Sequence, residues 1–433
     1  ELFLVHGIII DFLKAERFTT GIPFVVTTLL ISICAAFLLN LTTKVIKTLK
    51  VRMCKMIQIK DKSFCSGCNA CAEICPKHCI ELVTDSKGFL YPKINSSECI
   101  ECGACERVCP FQKGNVALHA PIKAFAAWNK DKEKHVSSSS GGAAYVLSEY
   151  IVRSGGVVYG CTSDSMRIRH IRVDSLSDLS KLQGSKYVQS DVRGLFGRVK
   201  ADLKADIPVL FIGTPCQVAG LKNYIKRIPE HLYLVDLICH GVPSQQMLHE
   251  HIECITKRKK VNTISFRKGN RFTLTLSGDN FDYTKTDYWH DWYLRGFMES
   301  ITYRESCYQC VFAQGERAGD ITIGDFWGLQ NSEELLVNPQ NGISVLLPCS
   351  EKGLRLIEEV SHQFAIYERD INEAIAGNPQ LRRPTKQSVR QHVFNCIYPL
   401  FPFDIAVMTV VADEKLKSLF KLCIQFIMNG LRK

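Results

Sequence analysis

Eight cysteines between Cys65 and Pro110 fall into two copies of one spacing. Cys65, Cys68, Cys71 and Cys75 are followed by Pro76, and Cys99, Cys102, Cys105 and Cys109 are followed by Pro110. In each copy three thiolates can wrap one face of an iron–sulfur cube, while the fourth, turned away next to proline, reaches the other cube. The pattern assigns Cys65, Cys68, Cys71 and Cys109 to one 4Fe–4S cluster, and Cys99, Cys102, Cys105 and Cys75 to a second. A disulfide framework would not require identical spacings with a trailing proline in both copies. Paired zinc knuckles would not need a third and fourth cysteine in each. Cys79, three residues after Pro76, matches no ligand slot and reads as a small buried filler.

Four more cysteines are spread over a longer stretch. Cys216 follows the apolar run Pro208 to Ile212, and Cys239 follows Leu232 to Ile238. Both runs read as neighbouring strands of a parallel sheet, whose carboxyl edge is where such sheets bind ligands. Cys307 and Cys310 form a C-x2-C pair behind an aromatic helix read over Tyr288 to Ile301. The four could meet at the sheet edge and hold a third 4Fe–4S cluster. Zinc at the C-x2-C pair and unrelated buried thiols fit the spacing equally well.

Several elements must position these groups. Ile80 to Ile94 alternates apolar and polar residues about Ser86-Lys87-Gly88, a hairpin between the two ligand loops. Ala124 to Trp128 reads as a strand, and Val136 to Gly142 as a serine- and glycine-rich turn opening a helix over Ala143 to Arg153. Backbone N–H groups at such a turn favour an anion. With a strand at Val157 to Gly160 this makes a βαβ-like unit, and a second follows through a helix from Gln217 to about Ile225. Thr263 to Lys268 and Arg271 to Ser277 read as a hairpin, Asp320 to Gly328 as a strand ending in a tight turn, and Ile343 to Leu347 as a strand before a helix over Glu351 to Val360. The expected fold class is α/β, α+β overall, with a mixed sheet behind a bacterial-type two-cluster ferredoxin module.

The 433 residues suffice for about three domains. The net charge of +11 is concentrated between Lys44 and Lys62, where seven basic residues face Asp61 alone. That segment directly follows Ile22 to Leu39, an uncharged run long enough to cross a bilayer as a helix, so it reads as a membrane flank. No aromatic-interleaved basic motif appears elsewhere, which argues against a nucleic-acid partner. The positive-inside rule and the cysteine ligands both place the downstream chain in a reducing cytoplasm, anchored at the inner face of the membrane. The chain opens on Glu1, and Met56 reads as a natural start, so residues 1 to about 52 read as a membrane tail joined to a soluble enzyme. The expected divisions are residues 1–55, membrane segment and basic linker; 56–115, ferredoxin module; 120–395, the larger α/β domain; and 396–433, a tail. In that tail Leu416, Leu419, Phe420, Cys423, Phe426 and Ile427 share one helical stripe.

In combination, the double cysteine repeat, Ser138-Ser-Ser-Gly-Gly142, Gly184-Ser-Lys-Tyr187, Gly213-Thr-Pro-Cys-Gln217, Cys239-His-Gly241, Cys307-x2-Cys310 and Gly324-Asp-Phe-Trp-Gly328 resemble the beta-subunit family of coenzyme F420 hydrogenases and dehydrogenases. The resemblance runs from about Met56 to Pro399 and leaves residues 1 to about 52 outside it. It implies FAD beside a third cluster on Cys216, Cys239, Cys307 and Cys310. It also implies that Ser139, Ser140, Gly141, Gly142, Ser185, Lys186, Tyr187, Gly213 and Thr214 lie near the flavin, with Lys186 balancing its phosphates or reduced ring; a solvated surface lysine is the plainer reading. The implied activity is that of an iron–sulfur flavoprotein oxidoreductase. A hydride is exchanged at the flavin, and single electrons pass through the clusters to a redox partner protein or a small-molecule donor or acceptor. The family includes flavin reductases that never meet F420, and no residue here marks that coenzyme as substrate or names a catalytic group. The rival from another class is a non-catalytic ferredoxin-like carrier or accessory subunit of a membrane-associated enzyme.

Overall fold

Near-continuous apolar runs at Val209–Gly213 and Leu232–Leu237 are the mark of strands buried on both faces, and the computed structural model sets them side by side within an eight-stranded sheet. It describes residues 57, 61–112, 116–269, 271–329 and 342–412. Ile22 to Leu39 and the stripe from Leu416 to Ile427 lie outside those residues. Among the described residues no helix is long and apolar enough to cross a membrane. The chain divides into two units, Glu1–Met56 with Ile100–Gly103, and Ile57–Cys99 with Ala104–Lys433. Of the first unit only the Ile100–Gly103 loop is described, and it carries exposed Cys102. The second unit holds every strand and helix that follows.

Its strands are β1 (Ile80–Thr84), β2 (Leu90–Ile94), β3 (Ala124–Asn129), β4 (Val157–Asp164), β5 (Arg167–Val173), β6 (Val209–Gly213), β7 (Leu232–Leu237), β8 (Thr263–Lys268), β9 (Arg271–Gly278), β10 (Phe281–Lys285), β11 (Ile321–Asp325), β12 (Ser344–Pro348) and β13 (Phe364–Arg369). The large sheet runs β13-β3-β12-β11-β7-β6-β4-β5. Its middle, β11, β7, β6 and β4, is parallel, and antiparallel strands flank it on both sides, giving the mixed α/β class. The βαβ-like reading of β3, helix and β4 needs one revision: the two strands are not neighbours. The apolar stripe of helix Ala143–Arg153, with Val146, Leu147 and Ile151, instead covers Leu210, Val235 and Ile323 from the intervening strands. β8, β9 and β10 form a separate antiparallel sheet, and β1 and β2 the expected hairpin.

That hairpin is plugged into the larger body. Phe89 and Tyr91 join a core with Phe266, Leu274, Tyr293 and Phe403. At the turn, Lys87 is ion-paired to Glu305 and donates to Asn395 at 3.0 Å, while its carbonyl accepts from Ser244 Oγ at 2.6 Å. The aromatic helix is shorter than expected, Trp292–Met298, because Asp291 caps it through Leu294 N and sets the preceding turn apart.

His251 locks the C-terminal helix Phe403–Val411 onto this core. Its Nδ1 lies 2.5 Å from Asp404 and its Nε2 3.0 Å from Asp291, which also accepts from Tyr283 OH. Burial opposes charge on the imidazole, but Asp291 and Asp404 outweigh it and raise the group from 6.5 to about 9. A raised histidine stabilises the fold fully below its unfolded value and loses that contribution as pH rises through the folded one. The urea midpoint of the native protein should therefore fall between pH 6.5 and 9, and His251→Gln should flatten that slope. Parallel pH profiles of the two would refute the lock.

Candidate functional site

The first ligand loop leads into helix Ala70–Glu73 and the second into Ala104–Val108. Cys65, Cys68, Cys71 and Cys109 are brought into one electrostatic group, as the spacing requires. Burial pushes the Cys68 and Cys71 thiols far up, and their mutual repulsion adds to it. Cys105 faces Cys71 and Cys109, so the second ligand set abuts the first. Its Sγ also accepts from Ile57 N at 3.4 Å. Cys75 and Cys105 share a buried cluster with Ile57, Ile80 and Cys109, and Cys99 packs against it. Cys79 is buried there too, as expected. Cys65, Cys68, Cys71 and Cys75 form no disulfide.

Beyond the carboxyl ends of β6 and β7 stand Cys216 and Cys239. Thr214 caps helix Pro215–Ile225 through a box with Gln217, which fixes Cys216 on the first turn, 3.2 Å from Thr214 Oγ1. Cys216, Cys239, Cys307 and Cys310 line a single cavity that Ser66 and Arg304 help to close. Each faces the others electrostatically, with burial as the leading cause raising every thiol, Cys239 to about 12 and Cys310 to about 11. Four half-buried cysteines that would repel one another as thiolates make a donor set suited to a cationic core. No three His, Cys, Asp or Glu side chains among the described residues converge on one ion.

The two groups of thiols are neighbours in one packed cluster. Cys68 faces Cys216, and a Cβ on Gly220 of the same helix as Cys216 would stand 3.0 Å from Cys68 Sγ, so a larger residue there would crowd this approach. Between them lies Arg304, fully buried. It donates to Cys65 O at 2.6 Å, Leu90 O at 2.8 Å, Gln189 Oε1 at 3.2 Å and Cys65 Sγ at 3.6 Å, with its guanidinium 4.2 Å from the Tyr91 ring centre.

The other expected site residues fall into two places. Ser139 Oγ accepts from Ser185 N at 2.6 Å, which joins the serine–glycine turn to the Ser185–Tyr187 stretch. Ser140 donates to Ile343 O at 2.9 Å, and Gly142, at φ 83°, caps the helix in a left-handed conformation. Gly141 presses on Ser344, whose register partner is Asp325. Asp325 pairs with Arg267 at 2.6 Å, and Arg267 lies over Phe272, which packs against Tyr187. Lys186 is neither solvated nor free: its ammonium donates to Cys161 O, Leu182 O and Gln183 O at 2.7 to 3.1 Å, and burial lowers it. Gly213 and Thr214 sit apart from these, with Thr214 lining the cysteine cavity.

An aromatic run links the two places. Tyr187 stacks on Phe297 at 4.7 Å, Phe297 meets Tyr303 at 5.3 Å, and Tyr303 faces Cys239 and Cys307. Sequence reasoning missed Arg267, Asp325 and Arg304. Asp325 lies within the Gly324-Asp-Phe-Trp-Gly328 stretch; the two arginines carry no local signal, since their partners come from distant segments.

Comparisons with known proteins bear on the same regions. The family described as the C terminus of the coenzyme F420 hydrogenase/dehydrogenase beta subunit matches residues 208–374, and the 4Fe-4S dicluster domain matches residues 64–113. No curated protein matches. Among solved structures, the chain is similar to one in the F420-reducing NiFe hydrogenase complex from Methanosarcina barkeri, at 16% identity and a TM-score of 0.41, over 60% of this chain and 91% of that one. Residues 208–374 are thus similar to the C terminus of the coenzyme F420 hydrogenase/dehydrogenase beta subunit, and they stand behind a region, residues 64–113, that matches a 4Fe-4S dicluster domain.

Proposed function

We propose that the protein is a flavin-dependent iron–sulfur oxidoreductase with three 4Fe–4S clusters and one FAD. The observation that carries this reading is the succession of neighbouring groups from the second ligand set, through Cys71 and Cys68, to Cys216 and the four-cysteine cavity, and on by Tyr303 and Phe297 to Tyr187. Cys65, Cys68, Cys71 and Cys109 would hold the first cluster, Cys99, Cys102, Cys105 and Cys75 the second, and Cys216, Cys239, Cys307 and Cys310 the third. The flavin would lie against Ser139, Ser140, Gly141, Gly142, Ser185 and Tyr187.

An orphaned polar group supports that placement. The Arg267 side chain is buried, yet among the described residues its Nε and Nη2 have no hydrogen-bond partner of ordinary geometry. A guanidinium held by Asp325 with two unused donors beside an aromatic wall fits an electron-rich ring edge, because unmet buried donors cost about 1–3 kcal/mol each. When bound, a flavin exchanges a hydride on one side and single electrons on the other. The chain's own part is to hold and shield. Tyr187, Phe297 and Tyr303 exclude water between the two places, and Arg267 orients and balances developing negative charge. Lys186 contributes by pinning three carbonyls at the turn. The partner at the far end would be a redox protein or small-molecule donor or acceptor.

Anaerobic purification should give about twelve irons per chain together with one flavin, whose visible absorbance bleaches when a reductant is added. Iron at that level without flavin would remove the enzymatic reading and leave an electron carrier. About eight irons and one zinc would remove the third cluster alone.

A further inference from the structure

Two hydroxyl groups flank Cys216 in the four-cysteine cavity. Thr214 Oγ1 lies 3.2 Å from its Sγ. Ser66, 7% exposed, lines the same cavity and faces Cys216, and its Oγ has no hydrogen-bond partner of ordinary geometry among the described residues. Only the first cysteine repeat carries a hydroxyl there, since the matching position of the second is Ile100. The direction of the Thr214 proton follows from a chain of hydrogen bonds that begins at a carbonyl. Ile212 O can only accept, so His170 Nε2 donates to it at 2.9 Å. Burial lowers that imidazole to about 4, which keeps it neutral and makes Nδ1 the acceptor of the Ser190 hydroxyl at 2.9 Å. Ser190 has then spent its proton, and Gln217 Nε2 donates to its Oγ at 3.0 Å. The amide is thereby turned with Oε1 towards Thr214, where it accepts from Thr214 N at 3.0 Å. Thr214 Oγ1 also stands 3.0 Å from Oε1, but that oxygen is already satisfied, so the hydroxyl proton is available to sulfur.

We propose that Thr214 and Ser66 are positioning residues that donate two hydroxyl hydrogen bonds to the Cys216 sulfur and so raise the reduction potential of a cluster held there. This rests on the reading of Cys216, Cys239, Cys307 and Cys310 as its ligands. A metal-bound cysteine has lost its proton, so in the loaded site the 3.2 Å contact is a hydrogen bond only with Thr214 as the donor. The same sulfur gives the Ser66 hydroxyl the acceptor it lacks. Donors at sulfur favour the reduced state, which carries the additional negative charge. Ser66 acts from a particular place: its backbone continues Cys65, a ligand of the first cluster by the repeat, while its side chain meets a ligand of the third. One residue thus couples the electron affinity of the third cluster to the seating of the first ligand loop. No proton or electron changes hands, because the hydroxyls only turn towards sulfur.

EPR-monitored redox titration of the full-length protein, prepared anaerobically as wild type, Thr214→Val, Thr214→Ser and Ser66→Ala, tests this, with iron counted on each sample. The signal missing from Cys310→Ala identifies the third cluster. Thr214→Val and Ser66→Ala should each keep about twelve irons per chain and move that signal to a more negative potential, by on the order of tenfold in its reduced-to-oxidised ratio at a fixed potential. Thr214→Ser, which keeps the hydroxyl, should titrate with the wild type. Unchanged potentials in both Thr214→Val and Ser66→Ala overturn the proposal. Equal shifts in Thr214→Ser and Thr214→Val trace the effect to the threonine methyl and overturn it for Thr214. If Thr214→Val fails to fold, Ser66→Ala decides, since the Ser66 hydroxyl serves no other partner among the described residues. A wild type with about eight irons overturns the third cluster and this proposal with it, a failure that the iron count tells apart from an absent shift.

Discussion

Replacing Arg304 by leucine should destabilise the protein more than any other single change near the clusters. The side chain is fully buried, and Cys65 O, Leu90 O and Gln189 Oε1 all depend on its donors. Each buried acceptor left unmet costs about 1–3 kcal/mol, so the loss is on the order of 5 kcal/mol, a large share of the roughly 5–15 kcal/mol that holds a domain together. No carboxylate pairs with Arg304 among the described residues, which leaves the Cys65 sulfur, 3.6 Å away, as its nearest source of negative charge. A metal-bound thiolate at Cys65 would supply what the buried cation needs. Arg304→Leu should therefore also drive the potential of the first cluster negative, since a nearby positive charge favours the reduced form. Arg304→Lys keeps the charge but not the fork that serves three acceptors at once. It should recover the potential better than the stability. Thermal unfolding with EPR-monitored redox titration measures both, and a leucine variant that melts with the wild type would sink the argument.

Asp236→Ala should come next in severity. Asp236 and Arg317 are buried together, with Asp236 Oδ1 accepting from Arg317 Nη2 at 2.8 Å and Thr322 Oγ1 at 2.6 Å, and Oδ2 from Gly319 N at 2.9 Å. Alanine strands a guanidinium in the interior, a loss of about 3–5 kcal/mol. Swapping both partners for apolar residues removes the stranded charge, so Asp236→Leu/Arg317→Met should be less damaging than the two single changes combined. Arg317 also lines the four-cysteine cavity, and Asp236 lies on β7, which leads to Cys239. With the proposed third cluster in that cavity, Asp236→Ala should accordingly lower total iron before the ferredoxin cysteines are affected. Melting curves and iron counts on the three variants decide. A double variant as unstable as the sum of its parts would mean that the pair acts through packing.

Local chemistry made the cysteine groups legible in the sequence. The repeat from Cys65 to Pro110 marks the region that matches a dicluster domain, the Ser86-Lys87-Gly88 turn fixes β1 against β2, and the apolar runs before Cys216 and Cys239 announce strands whose carboxyl ends share an edge. Helix Glu351–Val360 follows from its periodicity and its Ser350 cap. What stayed hidden depends on long-range pairing. Nothing near Ala124–Asn129 reveals that β3 lies between β12 and β13, because a buried strand reads alike wherever it docks. Arg304 and Arg267 resemble ordinary surface arginines until the acceptors, one of them 239 residues away, are in place. Lys186 shows the converse, since its position in the Gly184-Ser-Lys-Tyr187 motif invited a role toward a ligand, whereas its ammonium is spent on main-chain carbonyls.

The cavity shared by Cys216, Cys239, Cys307 and Cys310 has a wall made by Ser66 and another made by Arg304. Chains emerge from the ribosome amino end first and tend to fold in that order. The ferredoxin cysteines are all synthesised before Cys216 appears, so their loops can be loaded while the rest of the protein is still being made. The four-thiol cavity has no last wall until Gln380, Pro384 and Thr385 have been added and the finished loop of Ser66 has been met. The topology thus makes closure of the four-cysteine cavity depend on a loop of the earlier ferredoxin module already being in place.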